Sequence, residues 1–565
     1  MKLCTEKSFN NPLIYIFVVS ILASICYEMY SKNKLLAIFV VSSFFIFIFK
    51  FKGNYIAIIL ILFFTIFIFN NIWFYQYIPD NIEEIRIIEV KNYYGKGKIK
   101  GRNVNLYNIN NEIKVGQKIL AKGEFSKDNN IIKGYIGEYK INFYKIKQDD
   151  FISTLYKERE KIFKKIEEKL GNRKAALITS VAFGYKSELG EEDRDIMGEL
   201  GISHAISVSG LHLSLIFSVL SKIFGIKMSL IISFIYVLFT GAPPSSVRAY
   251  IMIFIMSFGV VLRKTYNSLA ALSLAGIIIL LIRPYEVFGL GFILSFLATL
   301  GIILFNKDLN KKLYKLPNKI RDTVSISLCA QVFTLPILVL YFGEVSISFI
   351  LGNMLVVPFI VILVILGNVL LVIQMIIPIF NYCLYLCNYI IKIIDFIMYK
   401  INNIGLELLY LHYSVAYFYI AILTTYYYYK RGFKRFLYYP LIIAIYILVL
   451  IYSPFLKIRY YKDGALLVSY KGNRVLIETS DYVDTEKLKR VTLADKIVRK
   501  VNRINIANEF VINGQGKNYI LYTTNNKYLL LVNYEKIDWE YDIIDFRKGD
   551  IEEIIILNDK FLKGR

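Results

Sequence analysis

The feature that most constrains this chain is a series of apolar blocks of about bilayer length. Residues 12–30 and 54–75 are mostly apolar, and about 20 such residues span a bilayer as a helix because every backbone amide must be satisfied within the segment. The sequence therefore predicts a polytopic α-helical membrane protein with about 11–13 spans. The count stays open because 346–380 is long enough for two helices, with breaks at Pro358, Gly367 and Asn368. The remaining blocks lie near 35–49, 205–221, 228–241, 246–262, 267–283, 287–305, 322–342, 382–399, 411–429 and 437–454.

Composition agrees with a membrane protein and excludes several other classes. Hydrophobic residues make up 56% of the chain and charged residues 20%, against roughly 45–50% and 25% in soluble domains. The net charge of +24 is weak evidence for nucleic acid, because Lys accompanies Asn, Ile and Tyr as in A/T-biased coding sequences and Lys also flanks membrane spans. Five cysteines are too few for a disulfide scaffold. Cys383 and Cys387 stand one helical turn apart, which favours core packing over metal binding.

The composition divides the chain into five regions. The first ten residues do not form a cleavable signal peptide, because no small-residue cleavage site follows them. A charged helix over 154–170, with apolar residues at helical spacing, is predicted to join the second region to the core or to lie on the membrane surface. The regions are N-terminal transmembrane helices (1–80), an OB-type β-barrel (81–150), amphipathic and connecting helices (151–200), a transmembrane core (201–455) and a soluble α/β or all-β tail (456–565). Strand patterns in the tail lie at 465–470, 473–478, 509–512, 519–522 and 528–534.

The barrel region alternates short runs rich in Ile, Val, Tyr and Lys with Gly, Asn and Asp, which predicts five or six strands. The runs lie at 84–90, 104–107, 117–125, 131–136 and 139–146. It contains 14 Lys/Arg against 9 Asp/Glu, and aromatic residues lie among the cations. Basic grooves with stacking aromatics are typical of sequence-tolerant single-strand binding, whereas aromatics that fill the barrel and solvated lysines are the structural alternative. The candidate DNA-binding residues are Tyr93, Tyr94, Lys96, Lys98, Lys100 and Arg102.

The positive-inside rule predicts the orientation. Residues 306–321 include six cations, so this loop is expected in the cytoplasm, as are the basic residues near 222–227, 263–264 and 430–435. Counting spans from a cytoplasmic N-terminus then places the barrel and the tail outside the cytoplasm.

Two of the three histidines lie in Gly-Ile-Ser-His-Ala-Ile-Ser-Val-Ser-Gly-Leu-His-Leu, residues 201–213. A metal site would need a further ligand such as Asp195 or Glu199, and no His-Glu-x-x-His is present. A Ser-His hydrolase based on Ser209 lacks a G-x-S-x-G elbow and an orienting acid. Polar packing between helices is a third interpretation. The density of polar residues favours a pathway lined by His204, Ser207, Ser209, Gly210 and His212.

A second cluster, Thr-Gly-Ala-Pro-Pro-Ser-Ser-Val-Arg-Ala, occupies residues 240–249. Gly241, Pro243 and Pro244 interrupt helical structure, and the following serines are suitable N-caps. Arg248 then enters an apolar run, where a cation costs roughly 2.5–3.5 kcal/mol at the bilayer centre. It is predicted to face an anionic substrate, with snorkelling to the interface as the alternative.

The two clusters resemble the characteristic motifs of the ComEC-type competence proteins, membrane channels that carry single-stranded DNA into bacteria. His-Ala-Ile-Ser-Val-Ser-Gly-Leu-His-Leu is similar to the family's Ala-Val-Ser-Gly-Leu-His signature, and residues 240–249 are similar to its second block. The resemblance covers about residues 10–455 and implies a multi-pass protein of the bacterial cell membrane that imports DNA. It also implies an ATP-driven helicase-like motor in the cytoplasm and an extracellular DNA receptor, and assembly with further copies of the chain stays open.

The tail resembles only the start of the metallo-β-lactamase-like domain that ends long members of the family. The resemblance begins with Asp463-Gly-Ala-Leu-Leu and ends by Ser480, and no histidine follows His412. Zinc hydrolysis, a metal and a cofactor are therefore not expected, and the chain is predicted not to be an enzyme. No G-x-x-x-x-G-K-[ST] loop is present, since Gly516-Lys517 lacks the upstream glycine, so the pore is predicted to be passive.

Two other functions stay open from the residues. One is an intramembrane hydrolase that uses Ser209 with His204 or His212. The other is a secondary transporter of a small anion, which fits broken helices and Arg248 but predicts an internal repeat that the sequence does not show.

Overall fold

The computed structural model describes most of the chain, in two units. Residues 1–333 and 347–407 make up the first unit, and residues 334–346 and 408–565 the second. The described residues are 11–52, 54–109, 113–206, 208–263, 266–406, 408–461, 464–480, 484–499, 503–506, 509–523, 525–533, 541–547, 551–557 and 560–564. Cys4, Ser207, Asp463 and Tyr534, which the sequence interpretation used, lie outside the described residues.

The first unit opens with three apolar helices, as predicted. The first of them begins after Asn11, whose side chain accepts a hydrogen bond from the Leu13 amide, and Pro12 occupies its first turn. The three pack together through buried residues such as Val19, Ala57 and Phe67. They are α1 (Pro12–Lys32), α2 (Lys34–Lys52) and α3 (Asn54–Tyr75).

A closed barrel of five strands follows, with the strand order β1-β2-β3-β5-β4, which is OB-like. The predicted set of short strands omitted β2, whose alternating Gly and Lys residues gave no apolar signal. The predicted strands 131–136 and 139–146 overlap with a single long strand, β5, because Gly137 continues it with an extended backbone (φ 159°). The strands are β1 (Ile82–Lys91), β2 (Tyr94–Ile99), β3 (Arg102–Tyr107), β4 (Lys118–Ser126) and β5 (Tyr135–Ile146).

The charged helix α4 (Phe151–Leu170) begins at the N-cap Asp150, whose carboxylate accepts from the Ser153 amide. Its apolar stripe, including Ile162 and Ile166, is buried in the main hydrophobic core of this unit. The stripe therefore packs on protein and is not free to lie on a membrane surface. Three short helices follow: α5 (Asn172–Phe183), α6 (Glu191–Glu199) and α7 (Ser203–Ile206).

The core continues as a set of long apolar helices. The predicted blocks 205–221 and 228–241 are assigned to one element, α8, that is broken at Gly225, where the backbone is left-handed (φ 72°). The block 346–380 does not break at Pro358, Gly367 or Asn368, because Pro358 lies in the first turn of a helical segment and Gly367 packs against Ala182. The break comes at 374–376 instead. The helices are α8 (Gly210–Phe239), α9 (Pro244–Val261), α10 (Ser268–Ile282), α11 (Leu290–Lys312), α12 (Asn318–Phe342), α13 (Phe349–Ile373) and α14 (Ile377–Asn402).

Nine helices of the described residues are long and apolar enough to cross a membrane, and α10 is a shorter apolar helix. These helices identify a membrane protein. The predicted 11–13 spans and the orientation of the termini stay predictions.

The second unit contains two helices and a β-sandwich. The helices are α15 (Tyr413–Lys430) and α16 (Tyr439–Ile451), and a two-stranded ladder pairs β6 (Glu344–Val345) with β7 (Leu409–Tyr410). One sheet has six strands in the order β11-β10-β9-β8-β17-β18, and the other has five in the order β12-β13-β14-β15-β16. Residues such as Ile458, Val468, Ile512 and Leu530 share one core, so the two sheets pack face to face.

Two of the predicted tail strands, 465–470 and 473–478, have the observed bounds, and the other three overlap with β13 to β15 where they are described. The six-stranded sheet contains β8 (Leu456–Tyr461), β9 (Ala465–Tyr470), β10 (Asn473–Glu478), β11 (Lys496–Val498), β17 (Glu553–Leu557) and β18 (Lys560–Gly564), with α17 (Thr485–Thr492) between β10 and β11. The five-stranded sheet contains β12 (Arg503–Ile506), β13 (Phe510–Gln515), β14 (Asn518–Tyr522), β15 (Lys527–Leu531) and β16 (Asp542–Asp545).

Candidate functional site: two polar motifs in the membrane core

The two sequence motifs meet at the backbone carbonyl of Val208. The hydroxyls of Ser245 and Ser246 both donate to this oxygen, each at 3.0 Å. Pro243 and Pro244 make this contact available, because Pro243 is the N-cap of α9 and Pro244 begins the helix, which directs the next two serines toward the preceding chain. Ser245 and Ser246 therefore form one polar site with Val208, although they lie 37 and 38 positions from it in the sequence.

Within the first motif, Ser209 and His212 form a reciprocal cap at the start of α8. The Ser209 amide donates to His212 Nδ1 at 2.8 Å, and Ser209 Oγ lies 3.0 Å from the same nitrogen. Because Nδ1 accepts from the amide, the neutral ring has its proton on Nε2. His212 is buried, and its Nε2 has no hydrogen-bond partner among the described residues. This nitrogen is a donor available to a water or a ligand.

His204 lies in α7 and differs from His212 in its access to solvent. Its side chain is exposed, whereas His212 is buried. The predicted lining residue Ser207, between the two histidines, is outside the described residues.

Arg248 lies in the second turn of α9 and is half-buried. Its Nε donates to Ser295 Oγ of α11 at 2.9 Å, and its Nη1 makes a weak contact of 3.7 Å with Met252 Sδ. No carboxylate within the described residues forms an ion pair with Arg248. In the described structure the side chain reaches Ser295 on a neighbouring helix of the same unit, which does not favour the alternative of snorkelling to the interface.

Two glycines of the motifs have steric roles. A Cβ on Gly210 would lie 3.1 Å from Arg248 Nη2 and 3.3 Å from Ala249 Cβ, so this glycine permits close approach of α8 and α9. Gly241 has a left-handed backbone (φ 86°) in the turn between those helices. That turn is held by Arg283, whose Nη1 donates to the Ala242 carbonyl at 3.1 Å.

Sequence reasoning missed Arg159 of α4, which lies beside the same turn. The guanidinium stacks on Tyr156 at 4.0 Å from the ring centroid, and its Nη1 lies 4.0 Å from the position of a Cβ on Gly241. Its side chain is only 4% exposed, and within the described part of the chain Nε and Nη2 have no hydrogen-bond partner. One signal was visible in the sequence: Arg159 follows the helical spacing of Leu155, Ile162 and Ile166 on the apolar face of α4.

The alternatives to a pathway are weaker in this geometry. The short Ser209–His212 distance is that of a helix cap, and no carboxylate in the described ranges orients His212 as catalysis by a triad requires. No group of three or more His, Cys, Asp or Glu side chains suitable for a metal occurs among the residues that the structure describes. Cys383 and Cys387 are buried in the hydrophobic core.

The barrel residues chosen from sequence do not share one free surface. Lys96 pairs with Glu89 at 2.6 Å, and Lys100 contacts the Tyr77 hydroxyl at 2.7 Å and Glu83 at 3.3 Å. Arg102 is buried, where it stacks on Trp73 at 4.2 Å and donates to the Phe74 carbonyl at 2.9 Å. This arginine attaches the barrel to α3.

Lys98 and the two tyrosines have different surroundings. Burial, with Arg283 nearby, lowers the pKa of Lys98 to about 8. The Tyr94 hydroxyl contacts Asn105 at 3.1 Å and its ring packs edge-on to Tyr107, whereas Tyr93 is 81% exposed. Only Tyr93 of the six predicted residues offers a fully exposed stacking surface.

A different basic and aromatic surface occurs on the outside of β4 and β5. Lys122 lies directly opposite Phe143, which is 75% exposed, and Lys145 is two residues further along β5. Lys140 is exposed on the same strand. These three lysines form no ion pair within the described residues. We call Lys122, Lys140, Phe143 and Lys145 the outer basic face of the barrel.

Comparison with known proteins identifies the core that holds the two motifs. Residues 181–431 match the family model described as Competence protein. Residues 181–431 therefore form a core of the competence-protein type. The chain is 31% identical over 192 residues to ComE operon protein 3 of Bacillus subtilis strain 168, and the aligned region covers 32% of this chain and 24% of that protein. It is also 31% identical over 139 residues to an uncharacterized protein of Aquifex aeolicus strain VF5, and the aligned region covers 22% of this chain and 34% of that protein.

These matches confirm the resemblance found in the sequence. The chain spans less than two thirds of the length of either relative. No solved structure gives a significant match.

Proposed function

We propose that this competence-type membrane protein takes part in DNA uptake and passes single-stranded DNA through its core. The observation that supports it most directly is the joined pair of motifs, where Arg248 has no carboxylate partner among the described residues and His204 is exposed. A cation without a protein counter-charge inside an apolar core is costly unless an anion or water reaches it. DNA phosphates would supply that anion.

In this proposal the strand meets cations and donors in turn. The outer basic face of the barrel, outside the cytoplasm, attracts the strand by charge and by stacking on Phe143. Arg159 and Arg248 then contact phosphates in the core, and the histidines offer hydrogen bonds. The pathway residues of the proposal are His204, Ser207, Ser209, Gly210, His212, Gly241, Pro243, Pro244 and Arg248, with Arg159 added.

Transport needs partners, because an inside-negative potential opposes each phosphate by about 2.3 kcal/mol per 100 mV. We propose an ATP-driven helicase-like motor on the cytoplasmic side and a DNA receptor outside. Degradation of the second strand would require a separate protein, since the tail has none of the histidines of a zinc hydrolase.

The test is DNA uptake in a transformable bacterium whose own ComEC-type protein is replaced by this chain. In R248A we expect internalised, DNase-resistant DNA to fall about tenfold or more, because truncation of a buried charged contact costs roughly 2–5 kcal/mol. DNA bound at the cell surface should not change. The matched control is R263A, which removes an exposed cation near the C-terminal end of the same helix.

Membrane levels of each variant are measured by immunoblot. Wild-type internalisation by both R248A and H204A, at normal protein levels, would contradict the proposed pathway. Covalent labelling of Ser209 by a fluorophosphonate probe would instead support the hydrolase.

A further inference from the structure

The second unit contains a basic cavity that the proposed pathway does not use. It has a volume of about 60 Å³ and lies on the outer face of the six-stranded sheet, against the start of α15. Its charged and polar lining includes His412, Lys457, Arg459, Ser469, Arg474 and Glu553. Three cations and a single carboxylate among the described residues therefore surround a small space.

Strand register explains why these side chains converge. Ser469 of β9 is the partner of both Lys457 on β8 and Arg474 on β10, so the three form one row across the sheet. Arg459 of β8 lies opposite Glu553 of β17 and belongs to the next row on the same face. Alternate residues of β8, such as Leu456 and Ile458, point into the sandwich core. The cations are thus excluded from the core and gathered on the opposite face.

Arg474 is the best indication of an unfilled site. Its side chain is 7% exposed, and its Nη1 donates to the Thr492 carbonyl at 2.7 Å. Its Nε is buried and has no hydrogen-bond partner among the described residues. A buried guanidinium donor without an acceptor costs free energy, which an anion in the cavity would recover.

The start of α15 contributes to the same cavity. His412 is its N-cap, and His412 Nδ1 accepts from the Ser414 amide at 3.3 Å. The neutral ring then has its proton on Nε2, as a donor. The amides of a helix N-terminus also favour an anion.

The size and position of the cavity indicate which anion fits. The volume is roughly twice that of a water molecule in the liquid, which suits a group about the size of a phosphate. Leu450, in the last turn of α16, also lines it, and α16 is part of a candidate membrane span, Lys434–Ile451. The cavity therefore lies beside the end of an apolar helix, where lipid phosphates are concentrated.

We propose that this cavity binds the headgroup phosphate of an anionic phospholipid. Lys457 and Arg459, which are partly exposed, would hold the side of the phosphate that faces solvent, and Arg474 and His412 the buried side. The site lies outside the proposed DNA pathway and does not depend on it.

The test counts lipids that remain bound to the full-length protein. The protein is reconstituted with phosphatidylcholine and phosphatidylglycerol in equal amounts, transferred to detergent and examined by native mass spectrometry. We expect wild type to retain phosphatidylglycerol in preference to phosphatidylcholine. The amount of phosphatidylglycerol retained should fall at least fivefold in K457Q/R459Q, which removes both charges. The charge-conserving variant K457R/R459K should retain most of the wild-type amount.

The matched control is K496Q/K527Q, which removes two exposed lysines from other strands of the same unit and should retain lipid as wild type does. Thermal unfolding verifies that each variant is folded, and R459Q alone replaces the double variant if that one is not. Equal retention by wild type and K457Q/R459Q, or no preference for the anionic lipid, would overturn the proposal. Displacement of the lipid by inorganic phosphate or by a thymidine oligonucleotide at equal concentration would assign the cavity to a soluble anion or to DNA, and would also overturn it.

Discussion

At the scale of single residues, the core contains two arginines that a purely structural role does not explain. Arg102 of the barrel shows what a structural arginine does here: it donates to three backbone carbonyls and stacks on Trp73. Arg159 is similarly enclosed, but it leaves two nitrogens without acceptors among the described residues, whereas the half-buried Arg248 contacts one hydroxyl and a thioether. Buried polar groups are normally satisfied, so the unmatched donors of Arg159 indicate an absent partner.

The shared acceptor Val208 allows a sharp prediction about stability. In S245A or S246A one hydroxyl still satisfies the carbonyl, so we expect a loss of about 1 kcal/mol or less in the free energy of unfolding. In S245A/S246A the carbonyl has neither donor, and the loss should exceed the sum of the single losses, at about 2–4 kcal/mol. Thermal unfolding of the full-length protein in detergent measures each value.

The control for this series is S214A, because the exposed Ser214 only donates within its own helix to Leu211. It should be close to wild type. Strictly additive losses in the double variant would show that Val208 does not depend on the two hydroxyls together.

At the scale of elements, the barrel packs on the short segment between α10 and α11. A Cβ added to Gly134, in the loop before β5, would overlap the ring of Tyr285. Gly134 also has a left-handed backbone (φ 72°). The glycine thus allows the loop of the barrel to lie flat on the tyrosine.

Gly101 makes a matched comparison, because its backbone is also left-handed (φ 85°) and a Cβ there would meet nothing within 4 Å. Both G134A and G101A introduce the backbone strain of about 1 kcal/mol, but only G134A adds a clash. We expect faster proteolytic cleavage of the loops around the barrel in G134A than in G101A. Equal cleavage of the two variants would show that the Tyr285 contact does not hold the barrel.

The junction of the barrel and α4 should depend on pH through Asp150. Arg86, with the Ser153 amide, holds the pKa of this carboxyl below its ordinary value. A carboxyl with a lowered folded-state pKa contributes stability above its unfolded pKa of about 4, and this contribution is lost as the pH falls further. Wild type should therefore lose stability below pH 4 at this junction.

In D150N we expect a lower unfolding temperature at pH 7 and a smaller further decrease between pH 5 and pH 3, because Asn keeps the N-cap but loses the charge that pairs with Arg86. For each protein, the unfolding temperature is measured at pH 5 and at pH 3, and the two values are subtracted. D149N is the control, because Asp149 makes a largely exposed pair with Lys157 and should keep the wild-type pH dependence. An unchanged pH dependence in D150N would contradict the assignment.

At the scale of the whole molecule, the sequence predicted what depends on repeated local signals. Apolar blocks identified the membrane helices, and alternation identified four of the five barrel strands. Local signals could not show that Ser245 and Ser246 bond to Val208, or that Arg159 approaches Gly241, because these contacts depend on how distant segments pack. The same limit affected the barrel surface. Alternating lysines at 96, 98 and 100 predict an exposed basic strand. In the structure, however, Lys96 and Lys100 contact acidic residues or a tyrosine, and Lys98 is buried near Arg283.

The electrostatics of the barrel decide between the two candidate DNA surfaces. Every cation adds to the net charge of +24, so removal of any lysine weakens DNA binding slightly. A lysine that contacts a phosphate does more, because it also releases counterions from the strand. For single strands each such contact contributes roughly 0.7 to the slope of log K against log salt concentration.

We therefore expect K122Q/K140Q/K145Q to lower the slope for a single-stranded oligonucleotide by roughly 2, because these three lysines are available to meet phosphates. K96Q/K100Q should change it by much less, since both lysines already pair with Glu89 or Glu83. Fluorescence anisotropy of a labelled oligonucleotide with the full-length protein, at several salt concentrations, measures both slopes. A larger effect from K96Q/K100Q would return the binding surface to β2, where the sequence placed it, and would require the strand to displace those ion pairs.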